Sequence, residues 1–263
     1  MLIFESFFTS GLAQISYLVG DSKAAVAAVI DPRRDIDIYL QMAKEQGLRI
    51  AYVIETHIHA EFVSGAQSLA NRTGAQVIGG RSDEYRFDLR HVSDGEVLEL
   101  GQVRLQIMHS PGHTPEHISL QLFDTQQGSD PIALFTGDTL FMPDYGTARA
   151  DFPGGDAREL FRSIRRLLKL PPETRLFLCH DYKAAGRDKY VWETTVEAQR
   201  TGNVHVHEGV DEDDFVSMRT KRDATLSMPK LIFPSIQVNM RGGHLPEAEP
   251  NGTRYLKIPL DVL

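Results

Sequence analysis

The sequence has almost no cysteine and no long apolar run. Cys179 is the only cysteine among 263 residues, so an intrachain disulfide is excluded and the cysteine content does not indicate export. No apolar stretch approaches the ~20 residues that a membrane-spanning helix needs. The first eight residues lack the basic region and the small-residue cleavage site of a signal peptide. We therefore expect a cytoplasmic protein that has no membrane partner.

The chain also lacks an excess of positive charge. Its formal net charge is −8, which argues against general affinity for nucleic acid or for anionic membranes. A local arginine or lysine could still bind an anionic small molecule. Hydrophobic residues at 41% and charged residues at 24% are ordinary for a globular protein, and the length is sufficient for a substantial core.

Strand and helix patterns alternate along the chain and predict an α/β fold. Short apolar runs bounded by Gly, Pro or polar residues indicate buried strands, and apolar residues at helical spacing indicate amphipathic helices. We predict two sheets packed face to face with helices outside. The predicted strands are 15–19 and 24–31 as a hairpin, 49–55, 76–78 and short runs within 103–138, and the predicted helices are 35–46, 63–73, 156–169 and 190–200.

The end of the chain has a different composition. Beyond Asp211 it becomes rich in Pro and Gly, which indicates an extension that packs on the rest of the protein. We see no internal repeat and no low-complexity linker. Residues 1–263 are therefore predicted to form a single domain in which residues 211–263 are a packed C-terminal extension.

Four apolar runs each end at a residue that can bind a metal ion. The four residues are His57, His113, Asp138 and His180. Side chains just beyond the ends of neighbouring strands can meet at one edge of a sheet, where α/β proteins usually place their chemistry. Imidazoles and a carboxylate gathered at such an edge form a metal site.

Each of these residues also has a structural interpretation. A His-x-His pair alone is weak evidence, because His205-Val-His207 is a second such pair without a comparable setting. The His57 pair differs because it follows a strand and precedes a helix. His113 could instead be a solvent-exposed histidine in a polar loop, which is the interpretation we give His109 and His117.

The remaining candidates leave similar alternatives. Asp138 could cap the turn that follows its strand, although its position beside the histidines favours a metal ligand. His180 could be a ligand or a hydrogen-bonding partner of a ligand. Cys179 precedes it and is interpreted as a core thiol.

These motifs resemble those of the metallo-β-lactamase superfamily in their order and spacing. The resemblance covers nearly the whole chain and implies a four-layer αββα sandwich with the metal at the edge of its two sheets. The matching segments are Thr56-His57-Ile-His59-Ala-Glu61, Ser110-Pro-Gly-His113-Thr-Pro, Thr136-Gly-Asp138-Thr-Leu-Phe and Cys179-His180-Asp181-Tyr182.

The sequence departs from the superfamily pattern at one motif. Where the superfamily has His-x-His-x-Asp-His, this chain has Glu61 and Phe62 in the last two positions. Because phenylalanine cannot bind a metal, the second position of the two-metal hydrolases has lost at least one ligand. A single metal site remains compatible with the sequence.

Within the superfamily the chain is most similar to the persulfide dioxygenases. The segments that carry this similarity are Gly146-Thr-Ala-Arg149-Ala-Asp151-Phe, His180-Asp181-Tyr182 and Asn239-Met-Arg241-Gly-Gly. The resemblance implies one Fe(II) per chain, held by His57, His113 and Asp138. Two imidazoles and one carboxylate are the facial triad of non-haem Fe(II) enzymes. His59, Glu61 and His180 would then lie around these ligands and orient them.

The same resemblance implies a substrate and several further roles. The substrate would be a low-molecular-weight thiol persulfide, such as glutathione persulfide, whose sulfane sulfur is oxidised by O₂ to sulfite. Iron is implied because zinc has no redox chemistry. Arg149 and Asp151 are expected to form a buried pair that braces the metal loop. Tyr182 and Arg241 are assigned to substrate binding.

The substrate-binding arginine that follows Asn-Pro in the related mammalian enzymes is absent. This chain has Asn203-Val204-His205 at that point, so Lys183, Arg187 or His205 are candidates to replace it. Coenzyme A persulfide is an equally open choice of carrier.

Two other classes of function compete with the dioxygenase. The first is a mononuclear zinc metallo-hydrolase, either a thioesterase of the glyoxalase II type or a lactonase, which would use Glu61 or His59. The second is a non-enzymatic sulfur carrier or regulatory protein. The sequence leaves open a homodimer and a separate sulfurtransferase partner.

Overall fold

The computed structural model describes residues 1–258 and shows two six-stranded sheets. Within these residues no helix is both long and apolar enough to cross a membrane. The strands of the first sheet are β1 (Leu2–Thr9), β2 (Gln14–Asp21), β3 (Val26–Ile30), β4 (Arg49–Ile54), β5 (Gln76–Gly79) and β6 (Arg90–His91). Those of the second sheet are β7 (Val97–Leu100), β8 (Val103–His109), β9 (Ile118–Asp124), β10 (Ala133–Phe135), β11 (Arg175–Phe177) and β12 (Glu193–Thr195).

Both sheets mix antiparallel and parallel pairing. The first has the order β1-β2-β3-β4-β5-β6, antiparallel as far as β3 and parallel from β3 onward. The second has the order β12-β11-β10-β9-β8-β7, in which only β10 and β11 are parallel. The predicted hairpin of strands 15–19 and 24–31 is confirmed as β2 and β3.

The two sheets pack face to face around the largest apolar cluster. Ile15, Ile54 and Ile78 of the first sheet meet Leu105 and Phe135 of the second, and all are at most 1% exposed. Such burial contributes roughly 1.5–3 kcal/mol for each large aliphatic or aromatic side chain. This contact between sheets is the central layer boundary of the sandwich.

Helices cover the outer face of each sheet. The six are α1 (Asp37–Glu45), α2 (Ala66–Thr73), α3 (Ala157–Leu167), α4 (Val196–Gly202), α5 (Glu212–Asp223) and α6 (Ile232–Asn239) within the described residues. Tyr39 of α1 and Leu69 of α2 pack on the first sheet. Leu160 of α3 and Phe215 of α5 pack on the second. The predicted four-layer αββα sandwich is therefore confirmed.

The helix predicted at 190–200 is partly wrong. Residues 193–195 form β12, which pairs antiparallel with β11, and α4 begins only at Val196. The β-branched Thr194 and Thr195 favour a strand. Thr195 also ends the strand and begins the helix, because its hydroxyl accepts a hydrogen bond from the Ala198 amide at 3.1 Å.

The C-terminal segment contains two helices, α5 and α6, that its composition did not predict. Asp211 caps α5 by accepting a hydrogen bond from the Asp214 amide at 2.8 Å. The first turn of α5 is acidic and its last turn is basic, which complements the helix dipole. Phe215 then packs on Phe161 of α3 with ring centroids 5.4 Å apart. The division into one domain with an extension stays a prediction.

Candidate metal centre

All four predicted strand-end residues lie near one edge of the two sheets, and His57, His113 and Asp138 bring their donor atoms within 4.8 Å of one another. His57 follows β4, His113 lies in the turn between β8 and β9, and Asp138 follows β10. The Nε2 atoms of both histidines are 3.8 Å from Oδ2 of Asp138. All three residues are at most 2% exposed. We call His57, His113 and Asp138 the metal cluster.

The hydrogen bonds of His57 leave its Nε2 lone pair free. The Thr56 hydroxyl donates its proton to Oδ2 of Asp31 at 2.9 Å. The Thr56 hydroxyl oxygen also lies 2.9 Å from Nδ1 of His57, and because its proton is already donated, Nδ1 must be the donor in that contact. A neutral imidazole then carries its lone pair on Nε2, which has no hydrogen-bond partner within the described residues.

His113 has the same tautomer for a similar reason. Its Nδ1 lies 2.8 Å from the backbone carbonyl oxygen of Arg149, which can only accept. Burial lowers the pKa of His113, and burial together with neighbouring histidines lowers the pKa of His57 well below the ordinary value. Both imidazoles are therefore held neutral, the form that binds a metal.

Asp138 is a buried carboxylate that lacks a cation. Its Oδ1 atom has no hydrogen-bond partner among residues 1–258. Burial, and then the nearby Glu61 carboxylate, raise the pKa of Asp138 well above its usual range. A metal cation between the three side chains would compensate the carboxylate and use both free Nε2 atoms. The donor set therefore fits a metal ion and leaves coordination positions open.

His117 holds the backbone of the metal cluster and is not the exposed loop histidine that we predicted. It is 1% exposed, and its Nε2 accepts a hydrogen bond from the Asp138 amide at 3.0 Å. Its Nδ1 lies 2.8 Å from the Ser110 hydroxyl. A Cβ atom at Gly137, whose φ is 51°, would lie 2.5 Å from Nε2 of His117. The turn before Asp138 therefore requires glycine.

His59 points into a second cluster that the sequence analysis missed. Its Nε2 lies 3.0 Å from Oδ1 of Asp31 and 3.3 Å from Oε2 of Glu55, and all three residues are at most 4% exposed. Burial alone would lower the pKa of His59, but the two carboxylates raise it well above the ordinary value. We call Asp31, Glu55 and His59 the carboxylate cluster.

One sequence signal could have found part of the carboxylate cluster. Asp31 follows the apolar strand β3 as Asp138 follows β10, so the strand-end rule applies equally to both. Thr56 joins the two clusters, since its amide donates to Oδ1 of Asp31 at 2.8 Å while its hydroxyl contacts both Asp31 and His57. Glu55 also accepts a hydrogen bond from the Ser64 hydroxyl.

A cavity opens beside the metal cluster. Its volume is about 250 Å³. Tyr182 lines it and stacks on His180, with ring centroids 5.2 Å apart. Acidic, aromatic and cationic side chains share the lining, which comprises Glu61, His113, Asp138, Phe141, Tyr145, Thr147, Ala148, Arg149, Tyr182, Arg219, Arg222, Leu226, Ser227 and Pro229.

Comparison with known families agrees with this arrangement. The sequence model of the metallo-beta-lactamase superfamily matches residues 10–180, a span that contains the whole metal cluster. The chain belongs to the metallo-β-lactamase superfamily. Members of this superfamily bind metal ions, so the family membership and the free donor atoms of the metal cluster both indicate metal binding.

Individual relatives within the superfamily have different names. A probable metallo-hydrolase of Burkholderia pseudomallei is 45% identical over 98% of this chain and 99% of its own length. The human mitochondrial persulfide dioxygenase ETHE1 is 30% identical over 92% of this chain and 89% of its own. Some other curated relatives are longer, and the chain spans 65% of their length.

A solved structure of the superfamily shares the fold closely. The crystal structure of ETHE1 from Myxococcus xanthus superimposes with a TM-score of 0.80 at 32% sequence identity. The match covers 92% of this chain and 100% of the other. This similarity supports the persulfide dioxygenase subgroup that the motifs indicated.

Phe62 fills the position where superfamily hydrolases have another histidine. It is 1% exposed, and its ring centroid lies 4.3 Å from that of His59 and 6.3 Å from that of His180. The apolar ring therefore lies close to both histidines and offers no metal ligand at this position. Asn239 fixes this loop, because its side-chain amide donates to the carbonyl oxygens of His59 and Phe62, each at 2.7 Å.

His180 lies close to the metal cluster, and its assignment around the ligands stays a prediction. Its Nε2 is 4.0 Å from Oδ2 of Asp138, and neither ring nitrogen has a hydrogen-bond partner within residues 1–258. Burial lowers its pKa to about 4. The imidazole is thus neutral beside the cluster.

Three residues assigned to substrate binding do not line the cavity. The Lys183 ammonium lies over the Tyr190 ring, 4.5 Å from its centroid. Nδ1 of His205 accepts a hydrogen bond from the Thr147 amide at 3.0 Å, so its ring supports the cavity wall from behind. Arg241 donates to the backbone carbonyl oxygen of Gln237. Of the residues assigned to substrate binding, Tyr182 is the one that the structure brings to the cavity.

The Arg149–Asp151 pair is hydrogen-bonded as predicted, but it is not buried. Its two hydrogen bonds measure 2.6 and 2.7 Å, while the Asp151 side chain is 38% exposed. Water screens such a pair, so it contributes roughly 0–1 kcal/mol. The Arg149 backbone carbonyl, and not the ion pair, contacts His113.

Proposed function

We propose that the protein is an iron-dependent persulfide dioxygenase that oxidises the sulfane sulfur of a low-molecular-weight thiol persulfide. The observation that carries this proposal is the metal cluster, two neutral imidazoles and one carboxylate with free donor atoms. This is the donor set of mononuclear non-haem Fe(II) oxygenases. The similarity to the human persulfide dioxygenase supports the same reaction.

One Fe(II) per chain would be held by His57, His113 and Asp138. Bound iron would supply the redox chemistry with O₂ that zinc lacks. The persulfide, O₂ and water are consumed, and the carrier thiol and sulfite are released. The sulfane sulfur loses the electrons that O₂ gains, so the reaction needs no other oxidant. Phe62 supports a single metal, because an apolar ring close to His59 and His180 stands where a second metal would need a ligand.

The cavity residues would bind the persulfide and limit access of water. Phe141, Tyr145 and Tyr182 form an aromatic wall with ring centroids 5.5–5.7 Å apart. Burial, and then the Glu61 and Asp138 carboxylates, raise the pKa of Tyr182 well above its usual value. The Tyr182 hydroxyl therefore stays protonated and is available as a hydrogen-bond donor to the substrate.

A mononuclear zinc metallo-hydrolase is the second candidate. Glu61 lines the cavity with His113 and Asp138, where its carboxylate could act as a base on water. The name of the Burkholderia relative favours hydrolysis as well. The persulfide and O₂ are the partners that the first proposal needs, whereas a homodimer, a separate sulfurtransferase and a cytoplasmic location stay predictions.

The deciding experiment measures metal content and oxygen consumption on the same preparation. Protein purified anaerobically after expression with iron is analysed for metal and then assayed with glutathione persulfide in an oxygen electrode. About one iron per chain with O₂ uptake and sulfite release would support the dioxygenase. Zinc in the site, hydrolysis of a glutathione thioester and no O₂ uptake after Fe(II) reconstitution would replace it with the hydrolase.

A further inference from the structure

The cavity beside the metal cluster is lined by both acidic and basic side chains. Its acidic side chains are Glu61 and Asp138, the second of which belongs to the metal cluster. Three arginines, Arg149, Arg219 and Arg222, line the same cavity. The last two come from α5, a helix that composition did not predict. This chain is acidic overall, so a local group of cations needs a specific explanation.

Two of the three arginines already have carboxylate partners. Arg149 donates two hydrogen bonds to Asp151. Arg219 donates from Nε and Nη2 to Oδ1 of Asp223 at 2.9 and 2.6 Å, and from Nη1 to the Thr147 carbonyl oxygen at 3.2 Å. The carboxylates neutralise the charges of these two arginines, whose remaining N–H groups donate to backbone carbonyl oxygens of the cavity wall.

Arg222 is the uncompensated cation of the group. Its side chain is exposed and makes neither an ion pair nor a hydrogen bond with any residue in 1–258. Its positive charge, after burial and the charge of Arg219, lowers the pKa of His205 to about 4. His205 lies directly behind Thr147, which lines the cavity. The Arg222 charge is therefore felt at the cavity wall.

We propose that Arg222 binds an anionic oxygen group, carboxylate or phosphate, of the carrier thiol and thereby determines substrate specificity. A guanidinium presents paired donors that match either group. Asp138 of the metal cluster and Glu61 would repel the anion, whereas Arg222 would attract it, so the substrate would bind with its sulfur toward the metal cluster and its anion toward Arg222. This inference rests on the proposed function for the identity of the reacting group.

The chain supplies a matched control for this role. Lys221 is the preceding residue in the last turn of α5, is equally exposed and does not line the cavity. A positive charge at either position stabilises the helix by interacting with the negative C-terminal end of its dipole. Arg222→Gln and Lys221→Gln therefore remove the same charge from the same turn, and only the first removes it from the cavity.

The first test compares an anionic with a neutral persulfide. The ratio of kcat/KM for glutathione persulfide to that for 2-hydroxyethyl persulfide should fall about 10- to 100-fold in Arg222→Gln, mainly through KM. Arg222→Lys should recover part of the ratio, and Lys221→Gln should keep it. An equal fall in both glutamine variants, or an unchanged ratio in Arg222→Gln, would overturn the assignment.

The second test measures binding without turnover. Titration calorimetry of the metal-loaded protein with S-methylglutathione and with desulfo-coenzyme A separates a carboxylate from a phosphate carrier. Arg222→Gln should weaken the ligand that wild type prefers by about 10- to 100-fold. If wild type consumes no O₂ but its ligand affinity still depends on Arg222, the dioxygenase proposal is rejected and the anion site is retained. If wild type binds neither ligand and does not prefer the anionic persulfide, the anion site is refuted.

Discussion

The metal cluster and the carboxylate cluster start from two histidines of one motif and reach opposite electrostatic states. His57 has a hydroxyl on Nδ1, three neighbouring histidines and a free Nε2, and burial keeps it neutral. His59 has two carboxylates within 3.3 Å of Nε2, which favour its protonated form. Two residues of sequence separation therefore place one imidazole in a site for a metal and the next in an internal ion pair.

The two clusters obtain their balancing charge from different sources. The carboxylate cluster contains a cation of its own, the His59 imidazolium. The metal cluster contains a carboxylate, Asp138, without a cation among residues 1–258, so its balancing charge has to come from solution. Substitutions in the metal cluster should therefore impair function, whereas those in the carboxylate cluster should impair stability.

The largest expected effect is the loss of function in Asp138→Asn. The amide keeps the shape but removes the charged ligand, at a cost of roughly 3 kcal/mol in metal affinity, about 100-fold or more. Activity should fall to that of metal-free protein. The metal-free variant should unfold at the same or a higher urea concentration than metal-free wild type, because an unpaired buried carboxylate is gone.

Metal analysis, turnover and urea unfolding measure these effects. Asp130→Asn, at an exposed position, is the control and should change none of them. Retention of the metal in Asp138→Asn would remove Asp138 from the ligand set.

Asp31→Asn, in contrast to Asp138→Asn, should lower the stability of the protein. The His59 imidazolium keeps only Glu55, and Thr56 loses a charged acceptor, so the free energy of unfolding should fall by about 3–5 kcal/mol. Urea unfolding of the metal-free protein measures this loss. Asp35→Asn removes a carboxylate that is 64% exposed and should cost less than about 1 kcal/mol. Equal stability of the two variants would contradict an internal ion pair.

Thr56→Val tests the hydroxyl that links the clusters. Valine keeps the volume but removes the acceptor that fixes the His57 tautomer. Loss of such an orienting partner typically weakens metal binding about 10- to 100-fold. Competition with a chelator measures the affinity, and Thr56→Ser should retain it. Wild-type affinity in the valine variant would show that the tautomer is set elsewhere.

The smallest effect is in the pH dependence of stability. The folded-state pKa of His57 lies below the ordinary 6.5, so the unfolded chain binds a proton first and stability is lost as pH falls below about 6.5. The folded-state pKa of His59 lies above 6.5, so its contribution is present below that pH and is lost as pH rises through the folded-state value. Each slope is at most about 1.4 kcal/mol per pH unit.

Urea unfolding of metal-free protein from acid to alkaline pH separates these two slopes. His57→Gln should flatten the acid side and His59→Gln the alkaline side, whereas His207→Gln, at an exposed histidine, should change neither. Flattening on the same side by both substitutions would mean that the two histidines share one protonation state.

Much of the site could be predicted because it depends on local pattern. Apolar runs that end at a histidine or an aspartate are visible in the chain, and parallel and antiparallel strands carried His57, His113 and Asp138 to one edge. Asp31 directly follows the apolar strand β3 and fits the same pattern. His117 could not be distinguished from an exposed loop histidine, since its burial depends on the Gly137 turn of a distant segment.

The substrate side of the cavity was harder to predict. Lys183 and His205 were reasonable cations by position, but one packs on Tyr190 and the other supports Thr147. Arg222 belongs to a helix whose stability comes from the Asp211 cap and from packing against α3, which a Pro- and Gly-rich composition does not indicate. A residue's distance from the metal motifs along the chain therefore says little about its place in the cavity.

The amino-acid sequence alone was sufficient to predict the α/β alternation and the types of metal donor, because strand patterns and side-chain chemistry are local properties. Its resemblance to the superfamily implied the four-layer sandwich and the loss of a second-metal ligand at Phe62. The fold sets which imidazole is neutral, which is charged and which arginine of the cavity has no partner among residues 1–258. Those states depend on atoms from distant segments that lie within a few ångströms in a poorly screened interior. His57 and His59 show the difference, since their neighbours in sequence are nearly the same and their neighbours in space are not.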